Sequence, residues 1–359
     1  MMERVAIALS GGIDSMTAAY LLKKDGHDIF GIHFLTGFEK PNPINPEVDV
    51  PQAGETIQPI AQQLKIPLHV LDLSADFKKT IVDYFIEAYQ SGQTPNPCLM
   101  CNPVIKFGIL LDFARKHGAN RLATGHYARI QKDENGAPRL FQGVDPEKDQ
   151  SYFLARLNSE QLSAASFPLG ELTKNQVRKL AGEAGLTPVF SRESQDVCFI
   201  KNSTYSEFLT SMKGDSPEEG WIEHIDGNRL GRHHGLHQFT IGQRKGINCP
   251  SSKPFYVVKL DTKRNRLIVG SKEDLLSGSC RVEKINWIGL PPETPLRVRT
   301  RIRFRHTAAP SMVIPIDEKT ALVKFDEKQS AVTPGQGAVF YRRTEVLGGG
   351  WISSDSMPG

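Results

Sequence analysis

A short polar segment near the N-terminus combines the residue types that bind phosphate. It consists of Ser10, Gly11, Gly12, Ile13, Asp14 and Ser15, between a buried-strand pattern at 5–9 and a helical pattern at 16–24. Glycines let backbone N–H groups approach phosphate oxygens, serine hydroxyls add donors, and a helix N-terminus favours negative charge. We therefore expect a phosphate-binding loop. A carboxylate beside phosphate needs a cation between them, so we assign Asp14 to Mg²⁺.

Three cysteines lie in distinctive local sequences. Cys98 and Cys101 are three residues apart, just before a predicted helix, and Cys198 lies in the sequence QDVCFI. The positive end of the helix should lower the pKa of a nearby thiol. Redox dithiols, zinc sites and iron–sulfur sites all use this CxxC spacing, so the pattern alone leaves the three open. Cys249 and Cys280 have no such context, and we interpret them as ordinary thiols.

The apolar pattern predicts an α/β fold for the first half of the chain. Strand patterns at 5–9, 28–35, 67–73 and 121–124 alternate with helical patterns at 16–24, 57–64, 77–89 and 104–116. Strands separated by helices of this length predict a parallel, doubly wound sheet. Short strands and glycine-rich turns dominate after about residue 205. We predict a catalytic domain at 1–205, a small central linker domain at 206–275 and a C-terminal β-barrel at 276–359.

Composition places the 359-residue chain among ordinary globular proteins. Hydrophobic residues make up 39% and charged residues 23%. We expect no apolar stretch of membrane-spanning length, no membrane partner and no export signal. An odd number of cysteines without export argues against a disulfide framework, so we expect a cytoplasmic protein. The net charge of +4 is too small to establish a nucleic-acid partner.

Five arginines alternate with mostly apolar residues near residue 300. They are Arg297, Arg299, Arg301, Arg303 and Arg305. On a strand this period of two places all five on one face, where guanidinium groups suit a phosphate backbone. The alternative is a solvated face paired with acidic neighbours. We predict RNA contacts for Arg303 and Arg305.

The phosphate loop is not a Walker motif, Gly-x-x-x-x-Gly-Lys-Ser/Thr, but matches the SGGxDS motif of PP-loop ATP pyrophosphatases. With further segments, the whole chain resembles the tRNA-specific 2-thiouridylases. Those segments are TPNPxxxCN followed by IKFG, ATGHYAR, KDQSYFL, FPLGELTKNQVRKLA, QDVCFI, HxFTIGQRKG, VTPGQGAVFY and LGGG.

The resemblance implies an enzyme that uses ATP to adenylate the C2 carbonyl of the wobble uridine of tRNA and then replaces its oxygen with sulfur. It implies Cys101 as nucleophile and Cys198 as carrier of a persulfide. The sulfur donor is a cysteine desulfurase or a relay protein where a persulfide forms, or sulfide where none does. The positions that match the family's ATP site are Ala8, Leu9, Ser10, Gly11, Gly12, Ile13, Asp14, Ser15, Phe34 and Gly125. Those that match its tRNA contacts are His126, Lys148, Asp149, Gln150 and Gln336.

One position departs from the pattern of the familiar bacterial members, which have aspartate where this chain has Cys98. Three thiolates, Cys98, Cys101 and Cys198, could hold a [4Fe–4S] cluster with one iron open to sulfide. That arrangement would replace the simple persulfide scheme, because a cluster ligand cannot attack at the same time. We favour the cluster at this point.

Three other functions compete with tRNA thiolation. A PP-loop enzyme acting on another RNA base or on a small molecule explains the ATP loop but not the cysteines. A non-enzymatic sulfur or iron–sulfur carrier explains the cysteines but leaves the ATP loop idle. RNA binding without chemistry uses neither motif. Dependence of pyrophosphate release on tRNA separates the first alternative from thiolation.

Overall fold

The computed structural model describes residues 3–39, 56–190, 197–201, 203–213, 218–250 and 253–356. The proline-rich stretch at 41–51 and residues 194–196 before Cys198 lie outside these ranges. The strands in chain order are β1 (Arg4–Ala8), β2 (Asp28–Leu35), β3 (Leu68–Asp72), β4 (Arg121–Ala123), β5 (Ala128–Lys132), β6 (Pro138–Gln142), β7 (Ala165–Ser166), β8 (Gly220–His224), β9 (Arg229–His233), β10 (Tyr256–Asp261), β11 (Arg266–Gly270), β12 (Leu276–Trp287), β13 (Leu296–Arg301), β14 (Ala309–Asp317), β15 (Thr320–Ser330), β16 (Gly337–Arg342) and β17 (Glu345–Ile352).

The helices lie mostly in the first half of the chain. They are α1 (Ile13–Lys24), α2 (Gln58–Leu64), α3 (Ser74–Phe77, Lys78–Val82 and Asp83–Gln90, which follow one another without a break), α4 (Pro97–Lys116), α5 (Ser151–Leu154), α6 (Ser159–Ala164), α7 (Lys174–Glu183) and α8 (Tyr205–Lys213). Short 3₁₀ turns occur at Leu236–Gln238, Glu273–Leu275 and Ser354–Ser356.

A five-stranded parallel sheet organises the N-terminal part, with strand order β3-β2-β1-β4-β7. Its central strand alternates between two hydrophobic cores. Val5 and Ile7 pack on one face with apolar residues of α1 and α2, while Ala6 faces the other core with residues of α3 and α4. Because helices cover both faces, the sheet is doubly wound, as the sequence predicts.

Helix α1 begins directly after the phosphate loop, and its charges suit its dipole. Asp14 lies in the first turn, and Lys23 and Lys24 lie in the last turn. Gly26 follows the helix with φ of +85°, a left-handed conformation that glycine adopts at little cost. Gly26 therefore provides the turn that ends α1.

Helix α4 begins earlier than the predicted 104–116. The Asn96 side chain accepts a hydrogen bond from the Leu99 N–H at 3.3 Å, and Pro97 occupies the first helical position. The hydrogen bonding widens to π geometry over Asn102–Leu110, which includes Pro103. Cys98 and Cys101 therefore lie inside the first turns of the helix rather than before it.

Among the described residues, α4 is the one helix that is both long enough and apolar enough to cross a membrane, judged by length and composition alone. Its mean hydropathy is 1.4. The sequence-based expectation that no stretch has these properties is wrong. Half of the helix is buried inside the protein, where Leu99, Ile105 and Leu110 pack in the core of the N-terminal sheet. Packing in that core accounts for the apolar composition.

The rest of the chain forms two β units. Strands β10-β11-β8-β9 make a four-stranded sheet around a small core that includes Val257 and Leu267. Strands β12-β15-β14-β13-β16-β17 follow one another around a barrel, which closes through pairing of β12 with β17. Cys280 is buried in the barrel core, as expected of an ordinary packing thiol.

A hairpin from the N-terminal part extends the barrel sheet. Strands β5 and β6 pair with each other, and Leu140 and Phe141 of β6 pair with Val346 and Glu345 of β17. The sequence patterns did not predict this hairpin. It joins the catalytic part and the barrel through backbone hydrogen bonds.

Candidate active site

The phosphate loop has the backbone geometry that its glycines predict. Gly11 has φ of +86°, and a Cβ there would lie 2.5 Å from the ring of Phe190. The Ser15 hydroxyl accepts a hydrogen bond from the Ser10 N–H and donates one to the Gly12 carbonyl, both at 3.1 Å. No side chain of the described residues caps the N-terminus of α1. The loop is therefore closed by its own serines, and the helix N-terminus faces a ligand site.

Asp14 carries two strong contacts. The Lys174 ammonium lies 2.8 Å from both carboxylate oxygens, and the Tyr127 hydroxyl donates to Oδ1 at 2.7 Å. Lys174 is buried, whereas the Asp14 side chain remains 32% exposed. The cation beside Asp14 in this structure is therefore a lysine of α7.

The remaining predicted ATP residues surround the loop. Ala8 ends β1, and the Leu9 N–H bonds to the Ile32 carbonyl of β2 at 2.9 Å. Gly125 follows β4, and a Cβ there would lie 2.7 Å from the Ser15 nitrogen. Only glycine allows this close approach between β4 and the start of α1. Phe34 is half-buried on β2 and packs against the core on the other face of the sheet.

The three thiols differ in exposure, and the pKa of each is raised by burial. Cys98 and Cys198 are exposed, and Cys101 is buried. Burial raises the pKa of Cys101 to about 12. Loss of solvation together with the neighbouring Cys198 raises the pKa of Cys98 to about 11, although its surface reaches solvent. The prediction that the start of α4 lowers these pKa values is wrong, because desolvation outweighs the favourable charges.

Lys106 is a cation whose charge acts on all three thiols. It lies on α4 beyond Cys101, and its charge lowers the pKa of Cys98, Cys101 and Cys198 against the effect of burial. Its Nζ lies 3.5 Å from Nε2 of His126. His126 is buried, its Nδ1 lies 2.7 Å from the Thr124 hydroxyl, and burial with the nearby Lys106 moves its pKa well below the ordinary value.

Adjacent residues after β4 connect the two sites. Gly125 packs on the start of α1, His126 contacts Lys106 of the thiol site, and Tyr127 hydrogen-bonds Asp14. The carboxyl ends of parallel strands meet at one edge of a sheet. Residues 125–127 therefore bridge the phosphate loop and the thiol site at this edge of the sheet.

Three family models match successive parts of the chain. They are described as a tRNA methyl transferase HUP domain at residues 3–202, a tRNA methyl transferase PRC-barrel domain at 206–271 and an aminomethyltransferase β-barrel domain at 277–352. A tRNA-specific 2-thiouridylase of Desulfosudis oleivorans is 47% identical over 98% of this chain and 95% of its own length. The chain belongs to the tRNA-specific 2-thiouridylase family.

Other relatives agree with this assignment. 2-Thiouridylases of Geotalea uraniireducens and Syntrophotalea carbinolica are 42% and 43% identical, each over 98% of this chain. They are matched over 95% and 99% of their own lengths. The chain therefore corresponds to nearly the whole 2-thiouridylase.

Some positions that match the family's tRNA contacts form hydrogen bonds within the protein itself. Asp149 is buried and accepts hydrogen bonds from Gln142, Arg301 and two backbone N–H groups. Gln150 accepts from the Tyr127 N–H at 3.1 Å. Lys148 lies in the turn before them. The Arg301–Asp149 pair links the barrel to the catalytic part, and the tRNA roles of these residues stay a prediction.

Gln336 contacts the segment that leads into the thiol helix. Its side-chain amide donates to the carbonyls of Thr94 and Pro95 at 3.1 and 3.2 Å. The Thr94 N–H donates to Pro334 at 2.9 Å, and the Tyr152 hydroxyl donates to the Gly337 carbonyl at 3.0 Å. The barrel loop therefore holds the start of α4 in place.

The arginine pattern is only partly a strand face. Strand β13 ends at Arg301, so Arg303 and Arg305 lie beyond it, and the prediction of five arginines on one strand face is wrong. Arg297 forms a two-point ion pair with Asp326 at 2.8 Å. An open groove of about 460 Å³ is lined by Arg299, Arg303, Arg305, His306, Thr307, Ala308, Ala309, Pro310, Glu327 and Gln329. The basic surface of the barrel is this groove.

The three thiols lie near one another without forming a metal site. Across the described ranges, no three His, Cys, Asp or Glu side chains are placed to hold a metal ion. Cys98, Cys101 and Cys198 are close enough to affect one another's pKa, but they do not form a ligand set. The arrangement does not fit the [4Fe–4S] cluster that the sequence favoured.

Sequence reasoning missed Lys106, Tyr127 and Lys174. Each lies in a segment quoted for the family resemblance, namely IKFG, ATGHYAR and LTKNQ. A lysine five residues beyond Cys101 in a predicted helix was a signal for a charge near the thiol. No local signal connected Lys174 with Asp14, because their contact depends on the packing of α7 against α1.

Proposed function

We propose that this chain 2-thiolates the wobble uridine of tRNA. The supporting observation is that two adjacent residues bridge the two sites: His126 contacts Lys106 of the thiol site, and Tyr127 contacts Asp14 of the ATP loop. A reaction that activates an oxygen with ATP and then replaces it with sulfur needs both sites within reach of one base. The names of the relatives carry the same activity.

The first step activates the base. The C2 oxygen of uridine attacks the α-phosphorus of ATP, an O–P bond forms, and pyrophosphate leaves. Backbone N–H groups of the phosphate loop stabilise the charge that develops on the leaving phosphates. The product is an adenylated base from which AMP can leave.

The second step transfers sulfur. A persulfide on Cys198, loaded beforehand by a sulfur donor, attacks C2 through its outer sulfur, and AMP leaves with the original oxygen. Cys101 thiolate then attacks the inner sulfur of Cys198, which forms a Cys101–Cys198 disulfide and leaves the outer sulfur on the base as the thiocarbonyl. An external dithiol reduces the disulfide. Lys106 favours the thiolate form that each attack requires.

Asp14 is the residue that would contribute to Mg²⁺ binding. Its carboxylate is a hard oxygen ligand in the phosphate loop and remains partly exposed, so the site fits a cation that arrives with the phosphates. Mg²⁺ supplies neutralisation of the phosphate charge. We also place the protein in the cytoplasm, where tRNA is present and thiols remain reduced.

The barrel groove is our proposed tRNA contact. Arg299, Arg303 and Arg305 present guanidinium groups to solvent on one side of it, and a phosphate backbone suits such groups. Contacts of this kind position the tRNA, while the flipped base is bound between the phosphate loop and the thiol site.

The test is nucleoside mass spectrometry. Unmodified tRNA is incubated with the protein, Mg-ATP and a persulfide-generating desulfurase. We expect 2-thiouridine only when ATP and tRNA are both present, with pyrophosphate released. Pyrophosphate release without tRNA, and no thiolated nucleoside, would support the alternative of a PP-loop enzyme acting on a small molecule.

A further inference from the structure

We propose that Lys174 binds the pyrophosphate portion of ATP and holds Asp14 in its place when the loop is empty. This inference rests on the proposed ATP chemistry and adds a residue that lies far from the phosphate loop in sequence. It is carried by the contacts of the Lys174 ammonium group at the N-terminus of α1.

Lys174 lies beside the phosphate loop, although it is distant in sequence. It is the first residue of α7, and its backbone N–H donates to Asp145 at 2.9 Å while Thr173 caps the helix. The side chain is buried, with its ammonium 2.8 Å from both oxygens of Asp14 and 5.9 Å from the centre of the Tyr127 ring. Because Asp14 is the second residue of α1, the ammonium lies beside the N–H groups that face the phosphates.

The charge of Asp14 opposes phosphate binding unless Lys174 neutralises it. Asp14 is the acidic residue in the first turn of α1, and by itself it would repel a phosphate bound there. Lys174 cancels that charge. With the pair neutral, the loop keeps the positive end of the helix dipole as its net field. Lysine ammonium groups commonly bind phosphate as point charges.

ATP binding exchanges the anion that Lys174 contacts, from the Asp14 carboxylate to the phosphates. A buried lysine without a partner is costly, so Lys174 must keep an anion at all times. Asp14 serves in the empty loop, and the phosphates serve when ATP binds. The Tyr127 hydroxyl, 2.7 Å from Asp14 Oδ1, keeps a hydrogen bond on the carboxylate during the exchange. Both partners of the ion pair therefore remain satisfied in both states.

The test measures binding to the full chain by calorimetry in EDTA, with inorganic pyrophosphate, ATP and AMP as separate probes. We expect Lys174→Met to weaken pyrophosphate and ATP at least tenfold and AMP by less than twofold, since about 1.4 kcal/mol corresponds to tenfold in affinity. Lys179→Met is the matched control, because Lys179 is exposed on the same helix and pairs with Glu183 rather than with Asp14. It should leave all three affinities unchanged.

The double variant Asp14→Asn with Lys174→Met separates phosphate binding from simple neutralisation. If Lys174 only cancels Asp14, the double variant binds pyrophosphate as well as Asp14→Asn alone, and the proposal is wrong. If Lys174 contacts phosphate, the double variant stays at least tenfold weaker. The double variant also leaves no unpaired buried charge, so it serves if Lys174→Met alone does not fold.

Failure of the proposed function has a different signature. Wild-type protein that binds neither ATP nor pyrophosphate, in EDTA or with Mg²⁺ added, would contradict the ATP chemistry itself. Wild-type protein that binds both, with a double variant as tight as Asp14→Asn, would contradict only the role of Lys174.

Discussion

The phosphate loop and the thiol helix lie at the same edge of one sheet, yet they hold their reactive groups in opposite ways. At the loop, charges are paired at 2.7–2.8 Å before any ligand binds. At α4, Cys101 is surrounded by apolar groups, and its pKa is raised to about 12. The ATP site therefore has its charges paired in advance, whereas burial at the sulfur site favours the neutral thiol of Cys101.

The largest expected effect comes from removing the sulfur chemistry. We expect Cys101→Ala and Cys198→Ala each to lower the single-turnover rate of thiolation at least about a thousandfold, because each removes a bond-forming group. Binding of tRNA should change less than about threefold, since neither thiol is needed to position the RNA. The rate is measured as 2-thiouridine formed, and tRNA binding by filter retention.

Cys249→Ala is the matched control for these variants. Cys249 packs against the core of the four-stranded sheet formed by β8 to β11. Its replacement should leave thiolation unchanged. Near wild-type thiolation by Cys101→Ala would show that the resolving thiol is misassigned. The same result with Cys198→Ala would show that the persulfide resides elsewhere.

A smaller effect is expected from Lys106→Met, which sharpens the contrast between the two sites. Lys106 lowers the pKa of the thiols, so its removal raises the pKa and moves the rise of alkylation rate with pH to higher pH. We expect alkylation of Cys101 and Cys198 near neutral pH to slow about tenfold or more, because fewer thiols are ionised. Alkylation of each thiol is followed by peptide mass spectrometry.

Lys116→Met serves as the control because Lys116 is exposed at the other end of α4. It should leave the pH dependence where it is. If Lys106→Met leaves that dependence unchanged as well, then the field at the thiols does not come from Lys106. ATP binding reports on the other site and should be equal in both variants.

The smallest effect is expected from Cys98→Ala. In the persulfide scheme Cys98 neither carries nor resolves sulfur, so thiolation should stay within about threefold of wild type. Anaerobic nucleoside mass spectrometry on iron-loaded and iron-free protein is the measurement. A fall of a hundredfold, together with a dependence on iron, would restore the cluster scheme that the described arrangement does not fit.

The sequence predicted what depends on local pattern. The doubly wound sheet follows from strand and helix periods. The backbone geometry of the loop 10–15 follows from its glycines. Contacts between distant segments were not predictable in this way, and the Asp14–Lys174 pair is the clearest example.

The thiol pKa values show the other limit of sequence reasoning. A helix start beside a cysteine favours thiolate, but burial opposes it, and burial depends on what packs around α4. Likewise the arginine alternation continues past the end of β13, because a sequence period does not show where a strand stops pairing. The C-terminal barrel was predicted as a class, but its closure by β12 and β17 and its extension by β5 and β6 were not.

The shared sheet of β6 and β17 also governs how the chain can be made. Residue 140 leaves the ribosome long before residue 346, its partner in the pairing. During synthesis the β5–β6 hairpin therefore exposes an unpaired strand edge, a surface prone to aggregation. A chain that stops before β17 keeps this edge exposed for its lifetime. An incomplete chain is therefore expected to aggregate through the edge of β6 that β17 covers in the full-length fold.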